Sequence, residues 1–277
     1  MLAATGIGAA TATLLVRSGA NVFFGDIATQ QAEALVSSLS KESSHQGSIS
    51  FQHCDVTKYE DLYSLFKSAH DKLGQVHHAV SSAGIFEQGS WFDPSLTIES
   101  VGQGPATTAV LDVNVLGSAN FARIGVVFLR HGVSAGENRS LTLVSSVNAF
   151  RESPGLYMYQ TSKHAIQGLM RSMRKIVYER DGIRVNCVCP GVTDTPMIVG
   201  IAEKFRDAGL YCQSPDSVGR IILGLQCADK MNGKAIYIEG GDGWEFEDSF
   251  YAEQPRWLGE EPTRRMRVNA EAVQKVG

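Results

Sequence analysis

The sequence predicts an α/β protein: a doubly wound parallel sheet in three layers, α/β/α, within a single domain. Three observations predict it. Short apolar runs alternate with stretches of helical periodicity from the start to about residue 240. Nearly every apolar run is closed by Gly, Asp or Ser, the residues that end a buried strand. The chain has 277 residues, 43% hydrophobic and 19% charged, which is globular composition with enough length for one large domain. The charge balance is 25 Lys+Arg against 29 Asp+Glu, net -4. That leaves no basic excess for phosphate neutralisation, so nucleic acid is not an expected partner. No run approaches the roughly 18 apolar residues of a membrane span, so no membrane is expected either. The first residues lack a basic segment, and Gly6 and Gly8 interrupt their apolar run, so a secretory signal is not read and a cytoplasmic location is expected.

The elements follow in order. Thr5-Gly6-Ile7-Gly8 opens a helix over residues 9–17. Val22-Phe23-Phe24 is a short strand ending at Gly25-Asp26, and residues 29–39 are a helix with Ala32, Leu35 and Leu39 on one face. Residues 48–54 are a strand closed by Asp55, and residues 58–73 a helix with Leu62, Leu65, Phe66 and Leu73 at core spacing. Residues 76–80 are a strand running into Ser81-Ser82-Ala83-Gly84. A long helix is expected over 106–130, a strand over 141–144 ending at Ser145-Ser146, and a helix over 157–180. Residues 185–188 are a strand stopped by Pro190-Gly191, and residues 236–238 are the last strand. Glu239-Gly240-Gly241-Asp242 is a turn with solvated acids. The boundaries expected are a main domain over 1–243 and an extension over 244–277. The aromatics Trp244, Phe246, Phe250, Tyr251 and Trp257 favour packing of the extension to about residue 258, with fraying beyond.

Ligands of such sheets sit at the carboxyl ends of the strands. Attention therefore falls on Asp26, Asp55, Ser82-Ala83-Gly84, Ser146 and Pro190-Gly191. The five cysteines have irregular spacing and read as buried small hydrophobes in a reducing compartment. Cys187 and Cys189 are expected on opposite faces of their strand, which argues against a shared metal. His77-His78 has no ligand partner at suitable spacing, so no metal site is expected. Asn138-Arg139-Ser140 matches a glycosylation sequon by chance. His164 points off the Tyr159 face, and Met158, Met170 and Met173 read as core or pocket lining.

At the nucleotide end, glycines at a helix N-terminus let a phosphate approach backbone N–H groups where the dipole favours negative charge. A lone Gly-x-Gly is usually an ordinary turn. Here Asp26 follows Gly8 by 18 residues at the end of the next strand, where a carboxylate can take ribose hydroxyls. No Lys or Arg lies close after Asp26 or within residues 1–8, so NAD is expected over NADP. One part is missing. Such a unit starts with a buried strand before the glycine turn, yet only residues 1–5 precede Gly6, and Leu2 stands where a first glycine belongs. Truncation of the first strand is the expected explanation.

Tyr159 and Lys163 fall at i and i+4 on one helix face. A free tyrosine has a pKa near 10, and a nearby ammonium favours the phenolate, so such a pair in a cleft is an acid/base device. By itself Tyr-x-x-x-Lys is more often a solvated helix face. Three features raise it: Ser146 lies 13 residues upstream at a strand end, Asn114 sits inside a buried-looking helix, and Pro190 to Thr195 close a strand with hydroxyls that could hold an amide.

Together, Gly6-Ile7-Gly8, Asp55-Val56, Asn114-Val115, Ser146, Tyr159…Lys163 and Pro190-Gly191 resemble the short-chain dehydrogenase/reductase family, of the classical type, over residues 5–243. The resemblance implies a Rossmann-like fold, with Tyr159 as general acid/base and Lys163 tuning the tyrosine and binding the nicotinamide ribose. It implies Ser146 orienting the substrate oxygen and Asn114 holding a water in a proton relay. Cofactor contacts are implied for Gly6, Ile7, Gly8, Asp26, Asp55, Val56, Ala83, Gly84, Pro190, Gly191, Val192 and Thr195, the last at the carboxamide. Two departures stand out: Ser81-Ser82-Ala83-Gly84 replaces the family's Asn-Asn-Ala-Gly, at a modest stability cost, and the first strand is absent. The aromatic extension is similar to those of fungal members in secondary metabolism. The expected function is NAD(H)-dependent interconversion of a secondary alcohol and a ketone on a small apolar metabolite, by a homodimer or homotetramer. The rival is a catalytically impaired or cofactor-free relative with a binding role. Residues 85–105 and 192–215 are expected to line the substrate pocket.

Overall fold

The computed structural model describes residues 4–42, 47–132, 134 and 136–276. Residues 1–3, including Leu2, lie outside them, and so does any pairing of that segment. Among the described residues seven strands form: β1 (Val22–Asp26), β2 (Ile49–His53), β3 (His78–Ser81), β4 (Ser140–Val144), β5 (Arg184–Pro190), β6 (Ala235–Glu239) and β7 (Asp242–Glu245). They fall into two sheets. One holds β1 and β2, the other runs β3-β4-β5-β6-β7, and every pairing is parallel except β6 with β7.

The central strands β4 and β5 read as expected because apolar residues on both faces leave no other place for them. Every residue of β4 and β5 is buried. The pleat sends alternate residues to opposite layers. Leu141, Leu143, Val185, Cys187 and Cys189 face one layer with α3 (Tyr59–Leu73), α4 (Ala109–Arg130) and α5 (Tyr157–Met173). Val144 and Val188 face the other, with α6 (Pro215–Cys227) and Ile7 of α1 (Gly6–Arg17). Cys187 and Cys189 therefore share a face, with Sγ atoms 4.0 Å apart, which corrects the expectation of opposite faces: a period of two returns residue i+2 to the side of residue i. Both thiols are buried, as is Cys54, whereas Cys227 is exposed.

The α4 segment is 22 residues long and apolar enough in composition to cross a bilayer. Here it is a core helix, burying Phe121, Ala122, Ile124 and Leu129 against the sheet and α3. Within it, Asp112–Gly117 is wound as a π-helix. Asn138 of the sequon gives its side chain to Gln226 O and Arg184.

Among the described residues no strand lies between β1 and β3. A cavity of about 440 Å³ takes that place, lined by Val22 and Phe23 on one side and by 77–80 on the other. Leu15 and Ala20 cover one face of it, Leu65 and Phe66 the other. Gln226 also lines it, 3% exposed, and its Oε1 has no hydrogen-bond partner.

The C-terminal part differs from expectation in three places. β7 pairs across the 243/244 boundary, and Glu239 is not simply solvated but accepts the Tyr237 hydroxyl at 2.7 Å. Instead of fraying, the chain ends in α7 (Glu260–Val276), where Glu261 bonds Arg264 and Arg265 one turn on. The extension is anchored by Glu247, 0% exposed, whose carboxylate accepts from Arg171 at 2.7 and 3.0 Å and from Gln167 at 3.2 Å.

Candidate active site

A cleft of about 730 Å³ opens over the carboxyl ends of β1, β3, β4 and β5. It gathers Gly6, Ile7 and Gly8 from α1, Asp26 from β1, and Asp55 and Val56 from the exit of β2. Ala83 and Gly84 follow β3, Ser146 follows β4, and Pro190, Gly191, Val192 and Thr195 follow β5. Tyr159 and Lys163 reach it from α5. Residues scattered over most of the chain thus meet in one place.

The α1 end is built for an anion. No acidic residue sits in its first turn, and the Thr5 side chain makes no cap, so the positive end of the helix faces the cleft. Gly6 has φ +53°, and a Cβ there would stand 3.1 Å from Thr195 Cγ2. Only glycine keeps both the turn and the contact. Gly191 is held as tightly, since a Cβ on it would collide with the Glu239 carboxylate. Asp26 is oriented by two backbone donors, Ala4 N–H at 2.8 Å and Ala28 N–H at 2.9 Å. Asp55 is held below its ordinary pKa, first by the Thr57 hydroxyl hydrogen bond. These features fit a dinucleotide, with the diphosphate at α1 and the adenosine ribose at Asp26.

On the other wall, Tyr159 and Lys163 are 8% and 5% exposed, with the Lys163 Nζ 5.4 Å from the tyrosine ring centroid. Lys163 also donates to Val144 O at 3.3 Å and lies 3.6 Å from the space beside Gly84. The Phe86 ring packs on Tyr159 at 5.0 Å. Ser146 Oγ accepts Asn148 N–H at 3.2 Å and reaches Pro190 O at 3.4 Å. That last contact is long, so the hydroxyl is easily redirected to a substrate oxygen.

Asn114 does not line the cleft. Its Oδ1 accepts Ile85 N–H at 2.8 Å, and its Nδ2 donates to Ile85 O and to Ser162 Oγ, both at 3.0 Å. Ser162 Oγ in turn donates to Tyr159 O at 2.6 Å. Both amide hydrogens are thus committed to protein, and the side chain braces the loop after β3 against α5.

Sequence reasoning did not single out Ser162 or the role of Glu87. Ser162 had a signal, three residues from Tyr159 on the face of a helix that packs inward. Of the segments expected to line the substrate end, only Ile85 and Phe86 of the first reach the cleft, while Met197, Ile198, Ile201 and Phe205 of the second form its apolar end. Among the described residues no group of three or more His, Cys, Asp or Glu is gathered to hold a metal ion. His78 is held down to about 4 by burial and bonds Ser140.

A dinucleotide cradle facing a tyrosine–lysine pair across the ends of a parallel sheet defines an oxidoreductase of the short-chain dehydrogenase type. The family described as short chain dehydrogenase matches residues 3–205, and the chain belongs to that family. It is 29% identical to the short-chain dehydrogenase srdC of Neurospora crassa over 87% of this chain and 92% of that protein. It is 32% identical to the chanoclavine-I dehydrogenase easD of Claviceps purpurea, over 82% of this chain and 89% of that one. Among solved structures, levodione reductase superposes with a TM-score of 0.72 at 21% identity, over 86% of this chain and 93% of that one. A 3-ketoacyl-(acyl-carrier-protein) reductase from Brucella melitensis, complexed with NADH, gives 0.71 at 22% identity, over 86% and 94%. The last two likenesses concern the fold.

Proposed function

We propose that this protein interconverts a secondary alcohol and a ketone on a small apolar metabolite, with NAD(H) as cofactor and Tyr159 as acid/base. The observation that carries it is Tyr159, Lys163 and Ser146 lining the same cleft as the uncapped N-terminus of α1 and Asp26. A bound nicotinamide supplies or accepts the hydride. The Tyr159 hydroxyl gives or takes a proton at the substrate oxygen, and Ser146 Oγ holds that oxygen in place. Lys163 places its Nζ 5.4 Å from the Tyr159 ring centroid and is available to the ribose. Asp26 takes the adenosine ribose hydroxyls. Among the described residues the cations lining the cleft are Arg151 and Lys163, neither on the strands or turns that carry Asp26, so a 2′-phosphate would meet the carboxylate without a counter-charge from them. That supports NAD over NADP.

Fungal relatives and the Met197–Phe205 apolar wall support an apolar substrate from secondary metabolism. The same proposal includes a main unit over 1–243 with an extension over 244–277, a homodimer or homotetramer, and a cytoplasmic location. The split sheet beside Asp26 favours a second reading, a catalytically impaired member with a binding role. The deciding experiment titrates the purified chain with NADH and with NADPH, then offers a panel of apolar secondary alcohols and ketones. NADH binding with turnover supports the first reading. NADPH preference overturns the cofactor assignment, and binding without turnover supports the second reading.

A further inference from the structure

We propose that Glu87 is a positioning residue for Tyr159: its carboxylate clamps the first turn of the catalytic helix and sets the pH at which the tyrosine acts. The proposal rests on the reading of Tyr159 as the acid/base. Helix α5 is 17 residues long, and its own N-cap residue, Leu156, offers no side-chain cap. The first N–H groups of any helix need partners from elsewhere. Here they come from a residue 72 positions earlier: Glu87 Oε2 accepts Tyr159 N–H at 2.7 Å, and Oε1 accepts Met158 N–H at 3.2 Å. A carboxylate at a helix N-terminus is favourable through the dipole as well as the hydrogen bonds.

The clamp is one of three that fasten the same short segment to the catalytic machinery. Ile85 is bonded through its N–H and C=O to Asn114, and Phe86 lays its ring on Tyr159. Ala83 and Gly84, just before, line the cofactor part of the cleft. Residues 83–87 therefore register the tyrosine against the nucleotide. Glu87 itself is half-buried and does not line the cleft, so it acts through Tyr159 and not on substrate.

Its charge matters beyond its grip. The positive end of α5 lies at the backbone of Tyr159 and favours a phenolate, and Glu87 offsets that field. The other charged side chains facing Tyr159 are Lys163 on the same helix and Arg151 and Glu152 from the turn before it, with Asp26 and Asp55 at the far end of the cleft. It is Glu87, not one of these, that accepts the Met158 and Tyr159 N–H groups of the first turn of α5.

The test compares the parent with Glu87→Gln, Glu87→Asp and Tyr159→Phe, each labelled with 13Cζ-tyrosine. The Tyr159 ring signal is assigned by its loss in Tyr159→Phe and followed through a pH titration. In parallel, kcat is measured against pH for whichever alcohol of the panel the parent oxidises with NAD. Glu87→Gln keeps the size and one acceptor oxygen and removes the charge. It is expected to move the ring titration and the acid limb of the kcat profile to lower pH by about half a unit. It should lower kcat about three- to tenfold with the KM for NAD unchanged. Glu87→Asp should restore the parent's titration in part. A folded Glu87→Gln whose ring titration coincides with the parent's overturns the proposal, as does a fall in NAD affinity equal to the fall in kcat. If the parent oxidises nothing, the functional reading fails alone and the ring titration still decides the role of Glu87.

Discussion

The two sheets of this molecule carry the two ends of one cleft, and they are built to very different standards. In the five-stranded sheet, β4 and β5 each have a partner on both edges and are buried throughout. In the two-stranded sheet, no residue of β2 is fully buried, and its core is a small cluster around Ala12, Val16, Phe24 and Leu39. Tyr159, Lys163 and Ser146 ride on the first, while Asp26 and Asp55 ride on the second. On the proposed function, the chemistry is mounted on the sheet whose central strands are fully buried and nucleotide recognition on the less buried one. Among the described residues a cavity, with the unpartnered Gln226 oxygen, lies between β1 and β3 and separates the two sheets.

The largest expected effect separates the halves by function. Tyr159→Phe should lower turnover by at least about 10²–10⁴-fold and leave NAD affinity nearly unchanged, measured by steady-state kinetics and NADH titration. Substantial residual turnover would mean that the base lies elsewhere. Next comes an attempt to erase the difference. A chain extended at its N-terminus by five apolar residues and a Thr-Gly turn should fill the slot and raise the thermal midpoint by about 10 °C, with a larger NAD-induced shift. Equal midpoints and equal shifts in the two chains would show that the slot is not a strand site. Gly6→Ala strains a residue at φ +53° and presses on Thr195, so NADH binding should weaken about tenfold while the thermal midpoint changes little. An unchanged dissociation constant would remove the diphosphate from α1. The smallest effect sharpens cofactor choice. Asp26→Ala should shrink the preference for NAD over NADP several-fold, read from the ratio of their dissociation constants. If the parent already prefers NADP, the role given to Asp26 is wrong.

Much of this was legible in the sequence because buried parallel strands allow few alternatives. Residues 141–144 and 58–73 were placed within a residue of β4 and α3, since a closed apolar run and a clear helical face each fit one element. β7 was not read, because Asp-Gly-Trp-Glu has a single large apolar residue and pairs on one edge only. The final helix was missed because charged residues crowd its first turns, where Glu261 pairs with Arg264 and Arg265, and its apolar positions are few and mostly small. The cleft residues were found through short motifs. Glu87 and Ser162 were not, because their meaning lies in contacts with Tyr159 N–H and Asn114, remote in sequence or made through the backbone. The cysteine pair on β5 shows that spacing must be read with the correct period.

Helix α1 is the strut between the two halves. Over its twelve residues, about 18 Å, Ala12 and Val16 seat it on the small sheet, while Ile7 joins the core beneath β5 and β6. Its outer side lies against Gly219 so closely that a Cβ there would stand 2.9 Å from Leu14 Cδ1 and 3.2 Å from the Thr11 nitrogen. A stiff rod turned at its midpoint swings at its tip. The tip here is the turn proposed to receive the phosphates, so Gly219→Ala, with no atom in the cleft, should be felt there as misaim. Tuning of the proposed nucleotide grip is open to changes in this buried contact behind the cleft, where selection or design can act without touching a reacting group.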